Sequence, residues 1–384
     1  MTSIYKLSEK NYDEIFALSE FAFQYQMNDE ERTHKEEEAA RHRIFGCYVD
    51  NELAGKLHII PLEVFIQGTR FSMGGISSVA TWPEYRRQGV AKNLLKKSLS
   101  DMKGKGEVVS LLHPFNVGFY RKYGWELAFN RKKYSLPIEN LKRDWKAAGY
   151  VRRNQDVKLL HDIYTDYAKS YNGMLVRDEA WWKQRVLTDQ GAQVRVAYNS
   201  AGEPEAYLIY TVRKNILNVL DLAYRNNNGI QLIYEFLSNH DSMAEKIEMT
   251  VPENDLLPLM LHDPTFSQEI EPYFMARIVD VHAFLQIYTF INKDKTVKLE
   301  VTDEILPENN GCYVMKTNKT DVTKIQEKTN ASISCSVQQL TALLLGFVRA
   351  PELWERGFIA GDKTAIHLLD EIIPQKTPYF ADFF

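Results

Sequence analysis

Cysteine is scarce in this sequence of 384 residues. Its three cysteines, Cys47, Cys312 and Cys335, lie far apart and form no C-x-x-C pair. A disulfide framework or a zinc site needs several cysteines at characteristic spacings, so neither is expected. A covalent cysteine mechanism would need a histidine partner, and none is evident for Cys47 or Cys335. We therefore predict no bound metal and no catalytic cysteine.

Long apolar runs and a large net charge are also missing. No run reaches the ~20 apolar residues of a membrane span, and residues 1–16 lack the basic and apolar regions of a signal peptide. The 47 basic and 51 acidic residues leave a formal charge of −4, so nothing favours a nucleic acid or a membrane as partner. We expect a reduced, cytoplasmic protein. Its length predicts two or three domains.

Two common nucleotide motifs are absent as well. Neither G-x-G-x-x-G nor G-x-x-x-x-G-K-[ST] occurs, which argues against a dinucleotide fold and a P-loop. The stretch Gly75–Met102 carries a different pattern. Ile76–Thr81 predicts a short strand, and Pro83 ends it because proline has no N–H to donate to a sheet. Beyond it, apolar residues recur at the spacing of one helix face: Val90, Leu94, Leu95, Leu99 and Met102.

The turn between this strand and this helix is basic and carries a glycine. A helix N-terminus favours anions, because its first N–H groups are unpaired and its dipole is positive there. Gly89 would let the backbone approach a phosphate closely, and Arg86 and Arg87 would add charged hydrogen bonds. The pattern predicts an anion site, although a basic first turn on a solvated helix would look the same. The turn consists of Arg86, Arg87, Gln88, Gly89, Val90 and Ala91.

A second motif follows one strand later. Glu107–Leu112 is apolar on both sides, which is typical of a central strand. Asn116–Glu126 then predicts a short helix that Gly124 stops. An aromatic residue such as Tyr120 could simply pack this helix, with its hydroxyl satisfied by a hydrogen bond.

Both motifs resemble those of the GCN5-related N-acetyltransferases (GNAT). The turn matches the family loop [RQ]-x-x-G-x-[GA] with its V-A-x-x-P-x-x-R lead-in, and the second motif matches F-Y-x-x-x-G-[FWY]. The resemblance implies an acetyl-CoA site in which Tyr120 lies beside the thioester sulfur. It further implies that the turn holds the pyrophosphate and the strand exposes backbone groups to the pantetheine arm. The residues it assigns to the coenzyme are Val79, Ala80, Thr81, Arg86, Arg87, Gln88, Gly89, Val90, Ala91 and Asn116.

The elements between residues 146 and 290 follow the same order as those of the first unit. The loop before their helix, Asn226–Gly229, has no basic motif. If this is a second unit of the same kind, it should not bind coenzyme. Strands and helices beyond residue 291 indicate a third, small α+β domain. We therefore predict an α/β (α+β) fold with domains at residues 1–145, 146–290 and 291–384.

Three features together resemble the Eis-like (enhanced intracellular survival) acetyltransferases. They are the two motifs above, the central segments RDEAWWKQR (177–185) and MARIVDVHAFL (275–285), and the end PYFADFF (378–384). The resemblance implies tandem GNAT domains followed by a sterol-carrier-protein-like domain, in a homo-oligomer that is commonly a hexamer. It also implies an amine acceptor, either a small molecule such as an aminoglycoside or a peptide lysine.

This resemblance carries a mechanism with Tyr120 as general acid and the α-carboxylate of Phe384 as general base. Only a neutral amine attacks a thioester, so a base must first take the proton of the ammonium. The apolar residues 379–384 are unfavourable in water, so we expect them to dock, although a tail that only packs is the alternative. Acidic side chains that we assign to a cationic acceptor are Asp29, Glu30 and Asp382.

Two other functions stay open at this point. The first is transfer from another acyl-CoA donor on the same doubled scaffold. The second is a non-catalytic regulator that binds CoA or lipid, with the C-terminal domain as its main feature. Thiol release from a series of acyl-CoAs would separate these possibilities. The physiological amine leaves no motif in the sequence.

Overall fold

The described residues of the chain fold into three β-sheets with helices packed on them. The structure, a computed structural model, describes residues 2–291, 294–317, 321–325 and 333–384. It confirms the mixed α/β fold class that the sequence predicts. In the part of the chain so described, no helix is long and apolar enough to cross a membrane.

The first 127 residues alternate strands and helices. These elements are β1 (Thr2–Leu7), α1 (Tyr12–Phe23), α2 (Asp29–Ala40), β2 (Arg43–Val49), β3 (Glu52–Ile66), β4 (Thr69–Thr81), α3 (Val90–Gly104), β5 (Val109–Leu112), α4 (Val117–Arg121) and β6 (Glu126–Leu127).

The middle of the chain has a similar alternation. Its elements are β7 (Asn130–Pro137), β8 (Gly149–Arg153), α5 (Val157–Ala168), α6 (Glu179–Trp181) with a π-helical turn at Trp182–Val186, β9 (Gln193–Asn199), β10 (Pro204–Arg213), β11 (Ile216–Tyr224), α7 (Asn227–Ser238), β12 (Lys246–Val251), α8 (Leu257–Met260), β13 (Ser267–Pro272), β14 (Met275–Ile278) and α9 (Val281–Ile287).

The last part is an α+β layer. Its elements are β15 (Thr296–Thr302), β16 (Gly311–Lys316), β17 (Asp321–Ile325), β18 (Ile333–Ser336), α10 (Val337–Leu345), α11 (Ala350–Glu355), β19 (Ala360–Gly361) and α12 (Lys363–Ile372).

One strand from the middle of the chain belongs to the first sheet. The first sheet has the order β1-β2-β3-β4-β5-β14-β6, and the second has the order β13-β7-β12-β11-β10-β9-β8. Strand β14 therefore returns to the first sheet, where it pairs antiparallel with β5 and β6. The third sheet has the order β17-β16-β15-β18-β19. One apolar core joins the first sheet, the third sheet and the end of the chain. The domain division at residues 145 and 290 stays a prediction.

Strand β4 separates from β5 halfway along its length. The two pair in parallel only over Met73–Ile76 of β4, and Ser77–Thr81 continues beyond the pairing. Ser78 has φ +53° at a bulge against β3. The pairing with β5 is short and the bulge lies on the β3 side of β4. The backbone of Ser77–Thr81 is therefore unpaired on its β5 side and is available to a ligand. In the second sheet, β11 likewise pairs with β12 only over Ile216–Asn218.

Helix α3 follows β4 after the basic turn. Its buried face includes Val90, Leu94, Leu95, Leu99 and Met102, which confirms the apolar stripe predicted from the sequence. Packing this face on the sheet fixes the N-terminus of α3 beside the open end of β4.

Candidate active site

A cavity of about 560 Å³ lies where β4 separates from β5. One wall is the end of β4 from Ile76 to Val79. The second is the segment after β5, with His113 and Tyr120. Helices α1 and α2 and the last two residues of the chain close the other sides. Elements from both ends of the sequence therefore meet around one space.

The basic turn lies at the N-terminus of α3. Gly89 is the residue that precedes the helix and has φ +82°, a conformation that favours glycine. A Cβ at this position would meet nothing closer than Asn93 Nδ2 at 4.0 Å, so the approach to the first helical N–H groups is open. Arg86 and Arg87 are exposed, and Gln88 Nε2 donates to the Glu84 carbonyl at 2.8 Å.

The other residues assigned to the coenzyme lie between the turn and the cavity. Val79 lines the cavity, Ala80 is buried behind it, and Thr81 ends β4. Val90 and Ala91 form the first turn of α3, with the Val90 side chain in the core. The structure thus brings the open strand and the anion turn together along one edge.

Tyr120 is almost completely buried on α4, with 3% of its surface exposed, and it lines the cavity. Its ring is packed edge-on by Phe119 and Phe115, with centroids 5.1 and 5.5 Å away. Burial raises the pKa of its phenol, so the hydroxyl keeps its proton at neutral pH. Asn116 begins this helix: its Oδ1 accepts a hydrogen bond from the Phe119 N–H at 2.8 Å. Asn116 thereby orients the helix that carries Tyr120.

Phe384 reaches the same cavity from the opposite end of the chain. Its ring packs against Phe274 at 5.1 Å and Phe380 at 5.8 Å between centroids. Upstream, the Tyr379 N–H donates to the Asn172 carbonyl at 2.9 Å, which ties the tail to the segment after α5. The tail is therefore docked by both backbone and aromatic contacts.

Asp382 is buried in an ion network and is not part of the cavity wall. Arg177 Nε donates to its carboxylate at 3.0 Å, and the Trp181 Nε1–H donates at 2.8 Å. Arg177 also pairs with Asp221 at 2.6 Å. The Tyr273 hydroxyl donates to the Asp382 carbonyl at 2.9 Å. Through these contacts Asp382, the residue before Phe383, anchors the C-terminal tail.

Asp29 and Glu30 are exposed at the start of α2, away from the cavity. The acid that lines the cavity is Glu38, two turns further along the same helix. Lys35 Nζ lies 2.9 Å and Arg185 Nε 3.0 Å from its carboxylate. The sequence-based site prediction named Asp29 and Glu30 of this helix rather than Glu38, although Lys35 and Glu38 lie three residues apart on one helical face.

A basic cluster of Lys56, His58 and His42 adjoins the cavity, and both of its histidines line the cavity wall. Lys56 is fully buried on β3, and its Nζ lies 2.7 Å from Ser19 Oγ, 3.4 Å from His58 Nε2 and beside Ser78 Oγ. His58 Nδ1 lies 3.3 Å from His42 Nδ1.

Burial shifts the titration of all three members of this cluster. It lowers the pKa of Lys56 to about 7 and that of His42 to about 4, and it holds the pKa of His58 well below its usual value. Lys56 and His58 are two residues apart in β3, so their side chains lie on the same face of the strand. This spacing is the feature of the sequence that could have indicated the cluster. Across the described ranges, no group of three or more His, Cys, Asp or Glu is placed to hold a metal ion.

Three family models match successive parts of the chain. Residues 3–128 match an acetyltransferase (GNAT) domain, and residues 173–278 match a second acetyltransferase (GNAT) domain. Residues 281–381 match a sterol carrier protein domain. The chain is also 22% identical over 314 residues to an uncharacterized N-acetyltransferase of Streptomyces griseus, covering 73% of this chain and 74% of that protein.

Solved structures have the same fold over the whole chain. A protein of unknown function from Enterococcus faecalis, described as a probable N-acyltransferase, superposes with a TM-score of 0.94 at 26% identity. Eis1 of Mycobacterium abscessus superposes with a TM-score of 0.86 at 21% identity, which shows a shared fold. Both alignments cover 100% of each chain.

Proposed function

Because the chain belongs to the GNAT N-acetyltransferases, with two GNAT domains followed by a sterol carrier protein domain, we propose that it transfers an acetyl group from acetyl-CoA to a primary amine. The acceptor is a small molecule or a lysine side chain. Use of an acyl-CoA follows from the family, and the acetyl donor and the amine are the parts that we propose.

One observation carries this proposal. Tyr120, Phe384 and the open end of β4 line a single cavity, beside the open N-terminus of α3. Phosphates would bind to the N–H groups at Gly89 and to the two arginines of the turn. Val79, Ala80 and Thr81 would flank the pantetheine arm, which directs the thioester toward the cavity that Tyr120 lines.

The reaction requires a base, a proton donor and a group that holds the acceptor ammonium. A base removes a proton from the acceptor ammonium, and the neutral amine attacks the thioester carbonyl carbon. The tetrahedral intermediate collapses with cleavage of the carbon–sulfur bond, and the thiolate takes a proton from the Tyr120 hydroxyl. The tyrosinate then takes the remaining extra proton from the former amine nitrogen, which leaves a neutral amide. The α-carboxylate of Phe384, the last residue of this sequence, holds the ammonium by charge and is the base that the family resemblance implies. Only the GNAT domain in residues 3–128 has the basic turn, so we propose one coenzyme site per chain.

The charges and rings of the cavity favour an apolar monoamine over a polycation. Lys35 and Arg185 together balance Glu38 and a carboxylate at Phe384. A polycation such as an aminoglycoside would find no excess of negative charge on this wall. Aromatic side chains also line the cavity and suit an apolar body: Phe16, Phe23, Tyr25, Phe115, Tyr120 and Phe383.

An acceptor screen with acetyl-CoA tests the proposal directly. We expect thiol release with at least one of arylalkyl monoamines, polyamines, aminoglycosides and lysine peptides, with monoamines ahead of polycations. Tyr120→Phe is the matched control for background hydrolysis. Thiol release only with longer acyl-CoAs would replace acetyl by another donor. Tight acetyl-CoA binding without thiol release across the whole panel would favour a non-catalytic regulator.

The role of Phe384 has its own experiment. One glycine added after Phe384 moves the carboxylate away from the cavity, so we expect acetyl transfer to fall by about 100-fold, the scale of a misplaced catalytic group. Acetyl-CoA affinity, measured by calorimetry, should stay the same. A fully active extended protein would remove this carboxylate from the mechanism.

The resemblance also suggests a homohexamer, which we keep as a proposal. Size-exclusion chromatography with light scattering gives the mass of the assembly directly. A monomer or dimer at micromolar concentration would contradict it.

A further inference from the structure

The Lys56–His58–His42 cluster forms an unbroken chain of basic nitrogens from the core to the cavity. Lys56 Nζ meets His58 Nε2, and His58 Nδ1 meets His42 Nδ1. His42 and His58 both line the cavity. Both ring nitrogens of His58 contact other members of the cluster, whereas only Nδ1 of His42 does, which leaves His42 Nε2 to exchange a proton in the cavity. Among the described residues, no carboxylate lies within hydrogen-bonding distance of any of the three side chains.

With Lys56 neutral, the hydrogen bonds of the chain are all satisfied in one direction. The Ser19 hydroxyl donates to the Ile15 carbonyl at 3.0 Å, so its oxygen accepts from Lys56. Ser78 Oγ accepts the second N–H of the amine. The lone pair of Nζ then accepts from the His58 Nε2–H. His58 Nδ1 accepts from the His42 Nδ1–H, and His42 Nε2 is left with a free lone pair.

With one proton added, the same contacts are satisfied in the opposite direction. A Lys56 ammonium donates its third N–H to His58 Nε2, the His58 Nδ1–H donates to His42 Nδ1, and His42 carries its hydrogen on Nε2. No heavy atom has to move between the two arrangements. A proton that enters at His42 Nε2 therefore has the same effect as a proton placed on Lys56.

We propose that Lys56, His58 and His42 form a proton relay that accepts the proton of the acceptor ammonium and stores it on the buried lysine. The inference rests on the proposed acetyl transfer and adds a base to it. A carboxylate at Phe384 with an ordinary pKa near ~3.5 binds the proton weakly, and the relay gives that proton a stronger acceptor. Lys56 is a positioning and proton-storing residue, and His42 is the one that meets the substrate.

The charged groups around the relay limit it to one proton. Cations face it from α2 (Lys35), from the residue before His42 (Arg41) and from the π-helical turn (Arg185), and Glu38 is the acid on that side. Two positive charges on neighbouring side chains of this cluster would repel one another in a low-dielectric interior. The cluster therefore binds and releases one proton as a unit. Because the pKa of Lys56 is about 7, the cluster lacks this proton just above neutral pH and can accept one.

The proton balance of the step is complete. The ammonium N–H bond breaks, and a hydrogen forms on His42 Nε2 as one leaves His42 Nδ1 for His58 and one leaves His58 Nε2 for Lys56. The neutral amine then attacks. The stored proton returns to bulk water through His42 after the product leaves.

Two acceptors of similar shape test the relay. Benzylamine is an ammonium at neutral pH, whereas phenylhydrazine is neutral and needs no base before attack. We expect Lys56→Met and His42→Gln to lower kcat/KM for benzylamine by about 100-fold, within the range of general-base catalysis. With phenylhydrazine both variants should stay within about threefold of wild type by the same reasoning. Lys298→Met, an exposed lysine on β15, is the control.

The pH profile and an activity-independent titration separate this role from a structural one. In wild type, kcat/KM for benzylamine should decrease as the pH is lowered below about 7. The Lys56→Met variant should not show this decrease. By NMR, Lys56→Met should raise the pH at which the His58 ring titrates, because a neighbouring charge is removed.

Several results would overturn the relay. The first is an equal loss of kcat/KM for both acceptors in the variants, and the second is no loss for either acceptor. The third is a wild-type protein that acetylates phenylhydrazine but not benzylamine. The fourth is a His58 titration that does not change in Lys56→Met. Failure of the proposed function would look different, because wild type would then release no thiol with any amine while the NMR coupling would still be present.

Discussion

The ring of Phe384 packs so closely on Gly75 that a Cβ at residue 75 would lie 2.8 Å from Cε2 of Phe384. Gly75 is in the paired part of β4, opposite Leu111 of β5, and its conformation does not itself require glycine. Because Gly75 has no side chain, the ring of Phe384 has room to pack against it. The first and last parts of the chain thus share one contact at the edge of the cavity.

Gly75→Val should displace Phe384 from the cavity wall while leaving the coenzyme turn intact. We expect acetyl transfer to fall by about 100-fold, because misplacing a group by about 1 Å costs that much, with the Kd of acetyl-CoA unchanged. Gly104→Ala is the control, since a Cβ at the end of α3 meets nothing within 4 Å. Normal turnover in Gly75→Val would mean that the position of Phe384 does not matter for catalysis.

Tyr120→Phe isolates the phenol hydroxyl. Burial raises the pKa of Tyr120, so the group is a proton donor throughout the neutral range. Removing the hydroxyl should lower kcat by about 100-fold, the lower part of the range for a general acid, and leave acetyl-CoA binding nearly unchanged. Stopped-flow thiol release and calorimetry measure the two quantities. Unchanged turnover would leave Tyr120 as a packing residue.

Arg177 holds the tail through Asp382, and this pairing predicts a loss of both stability and activity. Arg177→Met leaves the carboxylates of Asp382 and Asp221 buried without their cation, which typically costs about 3–5 kcal/mol of unfolding free energy. Urea denaturation followed by tryptophan fluorescence measures that cost. Acetyl transfer should fall as well, because Phe384 loses its anchor two residues away.

Arg213→Met is the matched control for this substitution. Arg213 also forms an ion pair, with Asp189 at 2.7 Å, but its side chain is 61% exposed. An exposed pair contributes about 0–1 kcal/mol. A similar loss of stability in both variants would argue against a special role for the buried network.

Local patterns in the sequence predicted the parts of the protein that are local in structure. The strand, basic turn and helix of Gly75–Met102 need only residues close in sequence, and their burial pattern is confirmed. The tandem GNAT architecture with a sterol carrier protein domain and the assignment as an N-acetyltransferase are also confirmed. Each of these depends on short motifs and on the order of elements.

Contacts between residues far apart in the sequence could not be predicted from local patterns. Asp382 was predicted to bind substrate, and nothing near it in sequence indicates that Arg177, 205 residues earlier, would bury it in an ion pair. The acidic start of α2 was favoured because it is charged, whereas the cavity is lined by Glu38, which folding turns inward. The same holds for His42 and His58, which come together only when α2 ends beside β3.

The buried lysine makes a prediction about stability that needs no substrate. Lys56 titrates near pH 7 in the folded protein and near ~10.4 in an unfolded chain. Between these values the unfolded state binds one more proton than the folded state, so the free energy of unfolding rises with pH, by up to about 1.4 kcal/mol per pH unit. Below pH 7 both states hold the proton, and this contribution to the slope disappears.

Lys56→Met removes the titrating group and should remove that slope. The difference in unfolding free energy between wild type and Lys56→Met is measured by urea denaturation at several pH values from 6 to 10, because titrating groups away from the cluster cancel in this difference. We expect the variant to be the more stable protein at pH 7 and its advantage to shrink steadily toward pH 10. A difference that stays constant across this range would mean that Lys56 remains charged in the folded state, and the relay would then have no vacant acceptor.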